Sequence, residues 1–514
     1  MEIGELVRLK DNISNEDWNS TPPSVIGLIK AIFEHIEQQN NRIEKLEEEN
    51  RYLREQLKGN SSNSSKPPSR DGQAFKPEKK HKLSGKKRGG QKGHPGYGRQ
   101  LIEVEKCQKV IDYIPQECSK GANKLEGRDP SPYRHQVVEL PPVTPYVEEH
   151  RLHQLECKNC GEVTRAKLPK EVSQSGYGVR VVAMAAILSG LYRMSERMVQ
   201  KAFKDLFSIV MALGTVNSLR QEASLAIAES VETAAEYVKT QPIINADETS
   251  FKQANSDTNN PTNSKAWLWV AVTELVTVFR VTLSRGQLAA QLLLGTVLTA
   301  IIITDRWNGY NCFPLEQRQL CWAHLKRDFT KISEREGKAG EIGKELLNLQ
   351  SELFNLWHKV RDKTLTRQGF IQQADEIRQK VFILLKSGAS YQPIKGEKTS
   401  LALTSRACKE LLKLEPAMWL FLRVQGVEPT NNAAEQAIRP AVLWRKNSFG
   451  TQSLNGSEFV ARIFTVVMTL RSQNKNILDF LVESCQAFRN GNVAPSLLPD
   501  ISLAQSQSNL SLAA

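Results

Sequence analysis

The chain has 514 residues, 40% of them apolar and 24% charged, an ordinary globular balance that excludes a wholly disordered, collagen-like or disulfide-scaffold protein. At about 150 residues per domain, roughly three to four domains are expected. The net charge is +13, and twelve basic residues between Lys58 and Gln100, opposed only by Asp71 and Glu78, carry +10 of it; such a concentrated tract points to a polyanionic partner.

A membrane partner is disfavoured. The longest apolar run, 289–304, contains Gln291, Gly295 and three threonines and is too short and polar to span a bilayer. Met1-Glu2-Ile3-Gly4-Glu5 lacks the basic start and apolar core of a secretory signal. Eight cysteines without export read as reduced thiols, metal ligands or buried apolar groups before disulfides. A cytoplasmic location is expected.

In chain order, the first element is a heptad repeat. Ile29, Ile36, Ile43, Asn50 and Leu57 recur every seven residues, interleaved with Ile32, Gln39, Leu46 and Leu53. This predicts a parallel coiled coil over 25–58 and hence a homodimer or higher assembly, with Asn50 fixing register. An amphipathic helix packed on its own domain is the alternative. Residues 59–100 are poor in large apolar side chains and predict a flexible basic linker. Lys86, Lys87, Arg88 and Lys92 are its candidate phosphate-binding residues; a solvated spacer is the plainer reading.

Residues 101–172 suggest a zinc-ribbon-like β module. Short strands are expected at Val110–Ile114, Gln136–Leu140 and Tyr146–Leu155. Cys157-Lys-Asn-Cys160-Gly161 is a metal knuckle, but a ribbon needs a second pair. Cys118 stands at a suitable spacing, yet Gly121 occupies its partner's place. Cys118, Cys157 and Cys160 are therefore candidate zinc ligands, with Cys107, His150 or His153 as substitutes, or the hairpin is a metal-free vestige. Over 176–240 the period turns helical, predicting a helix-turn-helix-like DNA-binding module with Asn217, Arg220 and Gln221 facing DNA, or a helical connector.

Chemistry enters at Gln241-Pro-Ile-Ile-Asn-Ala-Asp247, an apolar strand running into a carboxylate. Two β-rich runs, 267–273 and 276–283, form a hairpin, 286–294 reads as a helix, and Ala300-Ile-Ile-Ile-Thr-Asp305 repeats the strand-Asp pattern. This order is that of a ribonuclease-H-like sheet, in which the first and fourth strands are neighbours and set Asp247 beside Asp305. Paired carboxylates of this kind hold divalent cations for displacement at phosphorus. Glu435, on a helix opened by Thr430 or Asn431, is the third acid; singly, each acid reads equally as a turn, cap or surface ion-pair residue. Arg439, Arg445 and Lys446 follow as candidate phosphate ligands, or as a plain solvated face. Between the acids, 324–425 reads as a helical insertion, with helices at Gly343–Lys363, Phe370–Ser387 and Ser405–Leu414.

Asp247-Glu-Thr, Asp305-Arg-Trp-Asn-Gly-Tyr310, Cys321-Trp-Ala-His324-Leu-Lys-Arg327-Asp-Phe329, Thr430-Asn-Asn-Ala-Ala-Glu435-Gln-Ala-Ile-Arg-Pro440 and Arg445-Lys-Asn-Ser-Phe-Gly450 resemble the DDE transposases of the insertion-sequence-sixty-six family, the TnpC-type proteins. The heptads, the Asn60-Ser-Ser-Asn-Ser-Ser-Lys-Pro-Pro-Ser69 box, Arg88-Gly-Gly-Gln-Lys-Gly-His94 and the cysteine knuckle occur in the family's order, so the resemblance covers about 25–485. It implies the acidic triad Asp247, Asp305 and Glu435, two Mg²⁺ or Mn²⁺ ions, DNA as partner and substrate, and accessory proteins encoded by the same element. Gly121, where the family carries a zinc-ligand cysteine, puts zinc in doubt.

The expected architecture is multidomain: coiled coil (25–58), linker (59–100), zinc-ribbon-like module (101–172), helical DNA-binding module (176–240), ribonuclease-H-like DDE domain (241–323 and 426–488), helical insertion (324–425) and flexible tail (489–514). The expected activity is cleavage of element ends and strand transfer into target DNA. The rivals are a domesticated or inactive DNA-binding regulator, and a nuclease or resolvase on the same fold.

Overall fold

The structure is a computed structural model that describes residues 14–58, 99–121, 123–169, 172 and 176–500, with the side chains of the N-terminal helices described only in part. Lys86, Lys87, Arg88 and Lys92 lie outside the described residues. The chain mixes helix and sheet. Helices α1 (Asn15–Ser20) and α2 (Pro23–Lys58) are followed by a small hairpin, β1 (Gln154–Glu156) and β2 (Val163–Arg165). Four helices come next: α3 (Val179–Gly190), α4 (Glu196–Phe207), α5 (Leu213–Ala226) and α6 (Ala228–Lys239). Strands β3 (Ile243–Phe251), β4 (Ala266–Val272) and β5 (Thr277–Thr282) precede α7 (Gln287–Leu294), β6 (Ile301–Thr304) and β7 (Arg318–Leu320). The rest is helical: α8 (Trp322–Ser333), α9 (Gly337–Arg361), α10 (Arg367–Ala389), α11 (Ser400–Lys413), α12 (Glu415–Met418), α13 (Leu420–Arg423), α14 (Asn432–Ser448), α15 (Leu454–Ser472) and α16 (Ile477–Asn490). Among the described residues no helix is long and apolar enough to cross a membrane.

Packing divides the chain into two compact units. One takes α1, α2 and Ala300–Asn432; the other takes Lys79–Thr299 and Ala433–Ala514. The heptad stretch is one continuous helix, α2, along which Ile32, Ile43 and Leu46 are exposed and Ile29 and Ile36 half-exposed.

In the second unit β3, β4 and β5 form an antiparallel meander, with Asp247 opposite Val270 and Trp269 opposite Arg280. Along β3 the even positions Ile244, Ala246 and Glu248 are buried, whereas Asn245, Asp247 and Thr249 are half-exposed, the period of two that a strand imposes. The outer strand β5 is sealed by α15. Thr465 Oγ1 accepts the Phe279 N–H at 2.9 Å, and Thr469 Oγ1 accepts from Thr277 N at 3.0 Å and donates back to Thr277 O at 3.0 Å. The four-residue step from 465 to 469 is about one helical turn, which matches the two-residue step between Thr277 and Phe279 along the strand.

Three expectations are corrected in this unit. First, 110–114 and 136–140 form no strand and 146–155 enters one only at its end, where β1 begins. Tyr113 is 89% and Leu140 85% exposed, so the alternation there has no buried face against which a ladder could pay its ordering entropy. Second, 176–240 is not a module of its own: α3, α4 and α5 pack together, and α3 and α5 rest on α15 and α16. Third, 489–500, the described part of the expected flexible tail, is held in place, whereas 501–514 lies outside the described residues. Pro495 O accepts from Ser230 Oγ at 2.7 Å, Leu497 O from Gln473 Nε2 at 2.8 Å, and the Leu497 side chain is buried.

In the first unit β6 and β7 pair in parallel, Ile302 opposite Arg318 and Thr304 opposite Leu320. Gln319, fully buried on β7, donates to Met418 O at 3.1 Å and accepts from Phe421 N at 2.8 Å, so the α12–α13 turn is bolted to the strand. Trp322 and Trp419 meet edge to face at 4.8 Å between ring centres. The expected helices of the insertion are present as α9, α10 and α11, with earlier starts; α8 and the two strands belong to the same unit, so the helices do not stand apart from them. The insertion also returns the chain to its point of departure: Trp322 N donates to Pro429 O at 2.9 Å and Asn431 N to Cys321 Sγ at 3.2 Å.

Candidate active site and nucleic-acid interface

Each expected acid lies where its element presents it partly to solvent. Asp247 is on the half-exposed face of β3, with Oδ1 accepting from the Glu248 N–H at 2.9 Å. Glu248, one residue on, points to the opposite, buried face and pairs with Arg285, whose guanidinium lies 4.5 Å from the Trp267 ring centre.

Asp305 follows the last residue of β6. Its Oδ1 accepts the Trp307 N–H at 2.8 Å, a short turn that fixes the carboxylate. Around it stand cations that sequence reasoning missed. Arg318, buried on β7, donates to Asn311 Oδ1 at 3.0 Å and reaches Asp305 O at 3.4 Å. Arg306 is gripped through two nitrogens by Asp328, at 2.5 and 3.0 Å, which holds its pKa above the usual guanidinium value. Burial pushes His324 down to about 4, helped by Arg327 and opposed by Asp305 and Asp328, so it is neutral at pH 7.

Glu435 is half-exposed in the first turn of α14, one residue short of a full turn from its start at Asn432. Asn431, expected at the cap, is wholly buried before the helix. At the other end of α14, Trp444 stacks on Phe251 with ring centres 6.0 Å apart and donates to Ser189 O at 3.2 Å. Arg445 donates to Ser250 O, to Ser250 Oγ at 2.8 Å and to Thr249 Oγ1 at 3.1 Å. The helix that bears Glu435 is thereby clamped to the strand that bears Asp247, within one unit. Arg445, expected to bind phosphate, is thus a clamp, and burial lowers its pKa. Arg439 and Lys446 are exposed.

Arg220 is likewise corrected. It is ion-paired with Glu196 on α4, lies 4.5 Å from the Phe459 ring centre and has only 13% of its side chain exposed. Its neighbours Asn217 and Gln221 on α5 are exposed. They form one wall of a groove of about 830 Å³ whose other wall is the turn after α14.

The cysteine module holds two similar turns. Cys157 N donates to Glu162 O and Gly161 N to Cys157 O, both at 2.8 Å, with Gly161 in the left-handed region. Cys118 N donates to Asn123 O at 2.9 Å and Gly121 N to Cys118 O at 3.4 Å. The N–H groups of Asn159 and Cys160 hold the Cys157 thiol below its usual range, as a metal knuckle would. Yet among the described residues no metal-binding group of three includes Cys118, Cys157 or Cys160. With Gly121 offering no ligand atom, the donor set does not fit tetrahedral zinc.

A carboxylate on the half-exposed face of β3, another just after β6 and a third in the first turn of α14 lie in a chain that mixes helix and sheet, consistent with the transposase class. A model described as "Transposase IS66 family" matches residues 181–458, more than half of the chain, and the chain belongs to that family. A second model, a family of unknown function (DUF6444), matches 19–100, the span of α2 and the basic tract. The uncharacterized protein y4qI of Sinorhizobium fredii (strain NBRC 101917 / NGR234) is 25% identical over 278 residues, 50% of this chain. The match spans about half, 49%, of that relative's length.

Proposed function

We propose that the chain is a DNA transposase whose active site is Asp247, Asp305 and Glu435. The observation that carries the reading is the clamp of Arg445 and Trp444, which ties the Glu435 helix to the Asp247 strand. The remaining acid, Asp305, follows the last residue of β6, and Asp247 stands at the middle of β3 on its half-exposed face. Three partly exposed carboxylates are hard oxygen donors, the set Mg²⁺ or Mn²⁺ takes, and they are the residues that would hold two such ions. Bound there, the ions would supply activation of the attacking oxygen and neutralisation of charge at phosphorus.

The chain's own residues orient and hold. The Trp307 N–H keeps Asp305 in one rotamer. Arg439 and Lys446 offer charge to DNA phosphates, and the basic tract of 59–100 adds sequence-independent affinity. Water opens a phosphodiester at the element end, and the freed 3′-hydroxyl then attacks target DNA, with no covalent protein–DNA intermediate. We read 241–323 and 426–488 as a ribonuclease-H-like domain and α2 as a dimerising coil.

The test is Mg²⁺- or Mn²⁺-dependent cleavage of DNA carrying the inverted repeats that flank the gene, with transposition in cells as the second readout. Asp247→Asn, Asp305→Asn and Glu435→Gln should each abolish cleavage and leave DNA binding nearly intact. Glu428→Gln, on an exposed loop, should cleave like the unmodified chain. Glu248→Gln should lower stability through its pairing with Arg285 rather than the chemical step. Activity retained in Glu435→Gln and lost in Glu428→Gln would remove Glu435 from the site.

A further inference from the structure

The turn that follows α14 presents an unusual side chain. Phe449 is 80% exposed and has φ of +60°, a left-handed conformation that a bulky residue adopts at a cost on the order of 1 kcal/mol. The next residue, Gly450, has φ of +99° and is buried; a Cβ there would overlap the Lys252 carbonyl oxygen. The turn does not drift. Thr451 N donates to Lys252 O at 2.9 Å, Ala254 N to Thr451 O at 2.9 Å, Ser256 Oγ to Gln452 O at 2.6 Å, and Leu454 N to Asp257 Oδ2 at 2.7 Å. The segment that follows the strained backbone is thus tied by four hydrogen bonds to residues 252–257, and the result is an aromatic ring held out in water.

Phe449 also lines the groove described above, of about 830 Å³. Volumes of roughly 300–1,000 Å³ are typical of sites for small organic groups. The opposite wall carries Asn217 and Gln221, one turn apart on α5, and Arg197 on α4; Asn447 stands beside Phe449. The Glu196–Arg220 pair is neutral within itself, so the lining is left with the positive charge of Arg197. Lys446 adds a second exposed cation next to the turn.

Taking the transposase reading as its basis, we infer that this groove receives an unpaired nucleobase of the DNA substrate, stacked on Phe449. Carboxamides such as Asn217 and Gln221 can pair with a base edge, as Asn and Gln do with adenine. Arg197 supplies the charge for the adjoining phosphate. The groove sets amides, hydroxyls and the Arg197 cation beside the rings of Phe449, Trp444 and Phe459, and an apolar protein partner would leave those polar groups unpaired. A base offers what those groups recognise: a π-face, a hydrogen-bonding edge and a negative backbone.

The experiment uses the full-length protein without divalent metal, so that cleavage plays no part. The probe is a short single-stranded oligonucleotide bearing one 2-aminopurine, followed by fluorescence and by salt titration. Binding should quench the fluorophore. Phe449→Ala should bind roughly 5- to 150-fold more weakly and lose the quench, with the salt slope unchanged because no charge is removed. Phe449→Trp should restore both signals. Arg197→Gln should flatten the slope by about 0.7, one phosphate's worth on a single strand. Unchanged affinity and quenching in Phe449→Ala overturns the inference while leaving the transposase reading intact. Unchanged DNA binding with altered sedimentation would assign Phe449 to a protein interface and equally overturn it. If the unmodified chain binds neither this probe nor duplex DNA, both readings fall.

Discussion

A charged side chain read from sequence carries its sign but not its address. Arg220 and Arg445 were expected on DNA because each lies in a basic, helical context; one is spent on Glu196 and the other on the end of β3. Glu248 shows the reverse case. Strand alternation alone put it on the face opposite Asp247, and it is found there, though its pairing with Arg285 could not be foreseen from a partner 37 residues away. His324 offers a test of the same kind of hidden environment. Folding lowers its pKa from 6.5 to about 4, so between those values the unfolded chain binds a proton that the folded chain refuses. The stability it contributes is therefore whole above about pH 6.5 and is lost as pH falls toward 4, at no more than about 1.4 kcal/mol per pH unit. Thermal unfolding between pH 7 and pH 5 should show a steeper loss in the unmodified chain than in His324→Gln; superimposable losses would refute this.

Among the elements, the sheet was the most legible part. β4, β5 and β6 are apolar runs bounded by turns or a carboxylate, and their burial is what such runs demand, while β3 continues past Asp247, where the apolar run stops, to Phe251, with Glu248 and Phe251 still buried. The residues proposed for the site drew attention in the same way, Asp247 and Asp305 by the apolar runs that lead into them and Glu435 by the helix that bears it. The short hairpins of 101–170 were misread because alternation was taken for burial: with both faces wet, nothing selects a ladder over irregular chain. The turn at Phe449 and Gly450 was invisible for another reason, as its shape depends on hydrogen bonds to residues almost 200 positions earlier. The heptads of α2 lead to a prediction at this scale. If they form the seam of a two-stranded coil, changing Ile36, Ile43 and Leu53 to Ser should shift a dimer toward monomer in sedimentation; a monomeric unmodified chain would end the proposal.

For the whole molecule, an edge strand is where a second copy could add its own backbone. The threonines of α15 bear on this. By giving the backbone of β5 hydroxyl partners, Thr465 and Thr469 leave no row of vacant amides for a neighbouring copy to zip onto. Replacing both by Val keeps shape and helix but orphans two buried N–H groups, which should cost about 1–3 kcal/mol each in urea unfolding; a loss below that range for the pair would show that the hydroxyls are dispensable. A strand already satisfied from within its own chain lets local concentration rise without stray cross-β association.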